Sequence, residues 1–241
     1  MSPDSPYFEQ SDILYDHSDF YIVYKKPGID VHSDAEQAGF LQQMRGELKD
    51  DKLFLVHRLD KPTSGIMIIA RSPEANSVLS QLFQARSVEK YYLALSDRKP
   101  KKKQGTIKGF MQRSRRSAWK LVRDAVDNNE SPAITRFESA SAGTNLRLFW
   151  VRPQTGKTHQ IRVALKSIGS PIIGDTLYYP GSEGLSHSHF GMTEADRLYL
   201  HACRLKFTYD GSPFNFICLP REGQLFASDE VLRLASLWSG D

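Results

Sequence analysis

Five apolar residues in succession, Ile66-Met67-Ile68-Ile69-Ala70, interrupt a mixed pattern, and a run this short and β-branched predicts a buried strand. Just beyond it the period changes. Ala75, Val78, Leu79, Leu82 and Phe83 recur at helical spacing behind Ser72, suited to an N-cap, and Pro73, suited to a first turn. They predict an amphipathic helix over 73–85. Ile161, Ala164, Leu165 and Ile168, closed by Gly169, predict a second helix over 157–168. Strands are expected over Thr106–Met111, Ile134–Ser139, Leu146–Val151 and Leu205–Tyr209, all rich in β-branched and aromatic residues. Residues 179–193, with three Gly, three Ser and two His, read as a mobile loop near a cleft. Strand runs broken by two helices, without regular βαβ alternation, point to an α+β fold with a largely antiparallel sheet.

Composition narrows the class. At 241 residues and 40% hydrophobic content the chain can bury a sizeable core, as one large domain or two small ones. No window reaches the ~18 uninterrupted apolar residues of a membrane span, and the polar, partly acidic start is unlike a secretory signal. Cys203 and Cys218 alone imply no disulfide framework, so the expected home is the reducing cytoplasm. The net charge of +4 hides an asymmetry: Arg98 to Arg123 holds eleven of the 32 basic residues and none of the 28 acidic ones. The first part of this segment, Arg98 to Gly105, reads as a solvated loop. Its continuation, Arg113-Ser114-Arg115-Arg116-Ser117-Ala118-Trp119-Lys120, mixes guanidiniums, hydroxyls and an indole, a better match to phosphates and stacked bases.

The strongest candidate chemistry lies before the buried run, in His57-Arg58-Leu59-Asp60-Lys61-Pro62-Thr63-Ser64-Gly65. Taken alone, these turn formers read first as a turn in which Asp60 bonds its own backbone. The other reading is an acid held at a strand entrance, with Gly65 admitting a close neighbour, as a nucleophile or base requires.

The segment resembles the signature of the RluA-type pseudouridine synthases, His-Arg-Leu-Asp followed two residues later by Thr-Ser-Gly. The likeness continues on both sides. Ile13-Leu14-Tyr15-Asp16, Tyr24 to Ile29 and Val31-His32 are similar to the family's opening strand pair and its Lys-Pro-Gly turn. Val88 to Leu95 resembles the Lys-x-Tyr-x-Ala strand, with Tyr92 rather than Tyr91 in register, and Pro132 to Phe137 fits a further strand. Arg152 to Arg162 fits the third motif, and Ser170 to Asp175 and Leu200-His201-Ala202 complete the order. The resemblance covers about residues 12 to 220. It implies a single catalytic domain over 12–241 after an N-terminal extension of residues 1–11, with no room for a separate S4-type RNA-binding domain. The implied fold is a long mixed, mostly antiparallel sheet with flanking helices and a central catalytic cleft.

The resemblance also implies an isomerase that turns a uridine of structured rRNA or tRNA into pseudouridine. Asp60 is then the essential carboxylate, Tyr92 the ring against the uracil, and Arg162 the basic partner that keeps Asp60 ionised. Arg58 would enter the space left by the flipped nucleotide. Arg113, Arg115, Arg116 and Lys120 are the candidate RNA contacts. The reaction needs neither metal nor redox cofactor, because nothing is oxidised and no group leaves. A monomer is expected. A noncatalytic RNA-binding protein and a nucleoside or glycoside hydrolase are the rival functions; the latter normally needs a paired general acid, to which the motifs assign no residue. Two other patterns fail. Thr155-Gly156-Lys157-Thr158 imitates a P-loop end, but position 151 is Val where that motif needs Gly. His187, His189, His201 and Cys203 offer zinc-ligand types, yet two of them fall in the Gly- and Ser-rich stretch and His201 in the family's Leu-His-Ala segment. His57 and His159 are read as structural, orienting their loops. Departures from the family pattern are Lys61-Pro62 within the first motif, Ala164 where His is frequent, and Tyr209-Asp210 where His-Pro is common.

Overall fold

The computed structural model describes residues 8–33, 38–114, 118–125, 130–179 and 195–237. In chain order the elements are β1 (Ile13–Asp16), β2 (Phe20–Lys25), α1 (Phe40–Leu48), β3 (Phe54–Leu55), β4 (Ser64–Ala70), α2 (Pro73–Gln84), β5 (Glu89–Ser96) and β6 (Gln104–Arg113). They continue as β7 (Trp119–Val122), β8 (Ala133–Ser141), β9 (Arg147–Pro153), α3 (Gln160–Ser167), β10 (Leu200–Tyr209), β11 (Ser212–Ile217) and α4 (Asp229–Leu237). The chain forms two compact units, one of residues 1–89 and 202–218, the other of 90–201 and 219–241.

The first unit is organised by β4, whose seven residues are all buried, as the apolar run predicts. It pairs antiparallel with β2, setting Ile22 opposite Ile68 and Lys25 opposite Gly65. Phe20, Ile22, Ile66 and Ile68 lie on one face and form a core with Ala75 and Leu79 of α2 and Leu205 and Phe207 of β10. Each large side chain buried there contributes about 1.5–3 kcal/mol. The start of α2 follows its sequence signals, with Pro73 in the first turn and Ser72 Oγ accepting the Ala75 N–H at 3.1 Å. β10 and β11 form a hairpin whose two-residue turn, Asp210-Gly211, has positive φ at both positions (47° and 73°), the twist that tight hairpins favour.

In the second unit the strand order is β5-β9-β8-β6-β7, with antiparallel pairing at each step. Helix α3 packs on β7, β8 and β9. It starts at Gln160, not at 157, because the Gln160 side chain is spent on the preceding turn. Its Oε1 accepts from Thr155 Oγ1 at 2.7 Å and from Lys157 N–H at 3.0 Å, and His159 adopts a left-handed conformation. Two further differences concern the basic segment. Gln104 and Gly105, expected in a loop, belong to β6, paired with Glu138 and Phe137, and Trp119–Val122 form β7. The described residues hold four α-helices rather than two, α1 and α4 being the additions. Of the stretch expected as a loop over 179–193, only Tyr179 is among the described residues.

Candidate active site

Asp60 sits half-buried in the first unit, in a turn closed by the Thr63 N–H donating to the Asp60 carbonyl at 2.9 Å. The backbone around it is fastened from three directions. His57 Nε2 accepts the Ile68 N–H at 3.0 Å while its ring stacks on Phe83 at 4.5 Å, so this histidine orients its loop as expected. The Lys61 carbonyl accepts the Gly28 N–H at 2.9 Å, which joins the Lys26-Pro27-Gly28 turn to the residue after Asp60. Gly65 has φ of 124°, and a Cβ there would lie 2.2 Å from the Ala202 carbonyl oxygen of β10, so only glycine fits this approach. Arg58 is exposed.

Lys25, whose part the sequence alone does not show, reinforces the fastening at the Lys61 carbonyl. Its side chain is 0% exposed, and the ammonium donates to the carbonyls of Lys26 (3.0 Å), Ile29 (2.8 Å) and Lys61 (3.1 Å). A lysine that ends an apolar strand, Phe20-Tyr21-Ile22-Val23-Tyr24-Lys25, is the available signal, because a buried ammonium must find acceptors. Replacing it by Met keeps the stem and removes the ammonium from three carbonyls, of which that of Lys61 keeps the Gly28 N–H. We expect Lys25→Met to lose about 2 kcal/mol of stability and to slow catalysis through a looser Asp60 turn, measured by urea unfolding and kcat. Unaltered stability would show that the ammonium is no brace.

Tyr92 lies on β5 in the second unit, opposite Val151 and half-buried, whereas its neighbour Tyr91 is 3% exposed with the Arg152 guanidinium 5.4 Å from its ring centre. Lys90 shares the Tyr92 side of the strand by its two-residue spacing, and burial holds its pKa below the ordinary lysine range. Arg162, on α3, is 5% exposed and makes a two-point pair with Asp175: Nε to Oδ2 and Nη2 to Oδ1, each 2.8 Å. Asp175 is 1% exposed, and its Oδ1 also accepts the N–H groups of Leu177 and Tyr178 at 3.0 Å. Asp175 is a further residue whose part the sequence alone does not show. The pair uses two of the five guanidinium donors.

Arg113, at the end of β6, is exposed and lies 5.5 Å from the Trp119 ring centre, a cation–π arrangement on the β6–β7 hairpin. Lys120 is exposed in β7, opposite Gln112. Arg115 and Arg116 lie outside the described residues, as do His187 and His189. His201 is fully buried with its ring in a T-shaped arrangement with that of Phe226, and burial pushes the Cys203 thiol up to about 12. No helix among the described residues is long and apolar enough to cross a membrane.

The profile of a family described as RNA pseudouridylate synthase matches residues 19–167. The chain belongs to that family. It is 47% identical over 220 residues to an uncharacterized RNA pseudouridine synthase of Haemophilus influenzae, covering 91% of this chain and 92% of that relative. The ribosomal large subunit pseudouridine synthase C of Salmonella typhi is 32% identical over 226 residues, covering 92% of this chain and 70% of the relative. Other curated relatives are longer, and the chain spans 62% to 64% of three of them. Among solved structures, human RNA pseudouridylate synthase domain containing 4 is similar with a TM-score of 0.72 and 26% identity, over 88% of this chain and 89% of that one. The α+β fold is therefore that of the pseudouridylate synthases, and the enzyme is an isomerase acting on RNA.

Proposed function

We propose that this synthase isomerises a specific uridine in structured rRNA or tRNA, acting as a cytoplasmic monomer. Breaking the bond between C1′ and N1, turning the freed uracil and joining C1′ to C5 is redox-neutral and calls for no metal. What the reaction demands is a carboxylate at the ribose, a surface for the detached base and exclusion of water. Asp60 supplies the carboxylate, by attack at C1′ or by taking a ribose proton. Tyr92 stacks on the uracil and offers its phenol for proton removal at C5. Arg162 favours the ionised form of Asp60. Arg58 fills the gap left by the flipped nucleotide, and Arg113, Arg115, Arg116 and Lys120 hold phosphates.

The observation that supports this reading most is the fastening of the Asp60 turn. A merely solvated aspartate has no use for a fully buried lysine holding the next residue's carbonyl, whereas a reacting carboxylate needs such a rigid support. The name of the Salmonella relative favours ribosomal RNA as the first substrate to try. The test is incubation with uridine-containing ribosomal and transfer RNA, digestion and chromatography. Pseudouridine is expected; free uracil would identify a hydrolase, and unchanged nucleosides with retained binding a noncatalytic RNA-binding protein.

Two further outcomes are expected. Tyr92→Phe should bind RNA as the parent does yet lose steps that use the phenol, and full activity would remove the proton-transfer role. Replacing Arg115, Arg116 and Lys120 by Ala should weaken binding with little change of sequence preference. It should also flatten the plot of log affinity against log salt by up to about 0.7 per lost single-strand contact. Coincident slopes in a salt titration would put the RNA footprint elsewhere.

A further inference from the structure

We propose that Tyr178 is a positioning residue that fastens the β6–β7 hairpin to the helix carrying Arg162, so that holding RNA and orienting the guanidinium depend on one side chain. The inference rests on the roles assigned to Arg162 and the hairpin above. Tyr178 is 1% exposed, and a phenol buried so deeply must place its hydroxyl well. The hydroxyl accepts the backbone N–H of Trp119, the first residue of β7, at 2.9 Å. It also bonds His159 Nδ1, at the cap of α3, at 2.8 Å. One oxygen thus ties the hairpin's second strand to the start of α3.

The rest of the residue acts on Arg162. The guanidinium carbon lies 5.0 Å from the Tyr178 ring centre, and the Lys166 ammonium, one helical turn further along α3, lies 5.6 Å from it. The Tyr178 N–H donates to the same Asp175 oxygen that accepts from Arg162 Nη2. Arg162 is thus gripped by a carboxylate and by a ring, and Tyr178 contributes to both. At the far side of the connection, Trp119 carries the exposed Arg113 over its ring, while Met111, Ala133 and Val163 pack with Tyr178 in an apolar cluster that Trp119 and Leu121 join. That packing does not involve the hydroxyl, so the fold should survive its removal.

The two functions of the side chain are separable by substitution. Tyr178→Phe keeps the ring and removes only the hydroxyl. It should raise the Kd for RNA about 3- to 10-fold through a loosened hairpin, with kcat on saturating RNA within about twofold of the parent. Tyr178→Leu removes the ring as well and should lower kcat by a further factor of about 10 as the desolvated cation–π contact is lost. Both variants are measured beside the parent and Asp60→Asn by RNA binding, kcat, KM and thermal unfolding. Failure of the parent to form pseudouridine, or activity in Asp60→Asn, would count against the proposed function and not against Tyr178. With those controls as expected, an unchanged Kd in Tyr178→Phe overturns the inference. So would equal kcat and KM changes in both variants that merely track their melting temperatures. Should Tyr178→Leu not fold, the Tyr178→Phe measurement decides by itself: a raised Kd at unchanged kcat supports the role.

Discussion

Asp60→Asn is expected to reduce pseudouridine formation by about a thousandfold or more, the scale on which loss of a group that takes part in bond making is felt. The substitution keeps size and polarity and removes only the charge and nucleophilicity of one oxygen. The turn it occupies is closed by backbone, Thr63 N–H to Asp60 carbonyl, and is braced through the Lys61 carbonyl. Both contacts are made by backbone and are kept by asparagine, which also matches the aspartate in volume and hydrogen-bonding reach, so melting temperature and RNA affinity should stay close to those of the parent. Isomerisation at even a few per cent of the parent rate, with deamidation excluded by mass spectrometry, would sink the assignment of Asp60.

The largest effect on stability is expected from Asp175→Asn. The Arg162–Asp175 pair is buried on both sides, and each ion is the other's two-point partner, with the Leu177 and Tyr178 N–H groups and the Tyr178 ring added to the pair. Neutralising Asp175 takes the balancing charge from a buried guanidinium and should cost about 3–5 kcal/mol. Replacing both partners, Asp175→Leu with Arg162→Met, removes the unbalanced charge and should recover part of that loss. It should recover no activity, because the guanidinium is gone. Urea unfolding and a pseudouridine assay on the three proteins separate the structural from the catalytic share. A single variant as stable as the parent would mean that the pair contributes little to folding.

How much of this was legible in the sequence depended on whether the signal was local. β4 and α2 announced themselves by period and by a cap, Ser72-Pro73, that needs no distant partner. Helix α1 did not: only Phe40 and Met44 of its nine residues are buried, and it ends at a left-handed Lys49 where glycine would have been the cue. The acidic start of α4, Asp229-Glu230, and the Asp210-Gly211 turn are local signals that the sequence does carry. In the basic segment, β6 is legible from Thr106 to Met111, where Gly109 and Met111 are buried between more exposed residues, whereas its exposed first residues, Gln104 and Gly105, read as the end of a solvated loop.

The candidate site divides in the same way. Asp60, Tyr92 and Arg162 are candidates because the motifs that hold them carry an implied role. Lys25 and Asp175 stand in matched segments and Tyr178 in none, but the sequence alone gives these three no role, because it lies in partners 36, 13 and 59 residues away, Lys61, Arg162 and Trp119. A buried lysine and a buried aspartate look like surface charges until the fold supplies their acceptors and donors.

The most direct measurement of the central claim follows the hydrogen at C5. Joining C1′ to C5 expels it, whereas neither RNA binding nor hydrolysis of the glycosidic bond does. With ribosomal or transfer RNA labelled with tritium at C5 of uridine, the parent protein should release tritium to water in amounts equal to the pseudouridine recovered after digestion. Asp60→Asn should release none above background. RNA that is bound but keeps its label, or that loses free labelled uracil instead, would contradict the account.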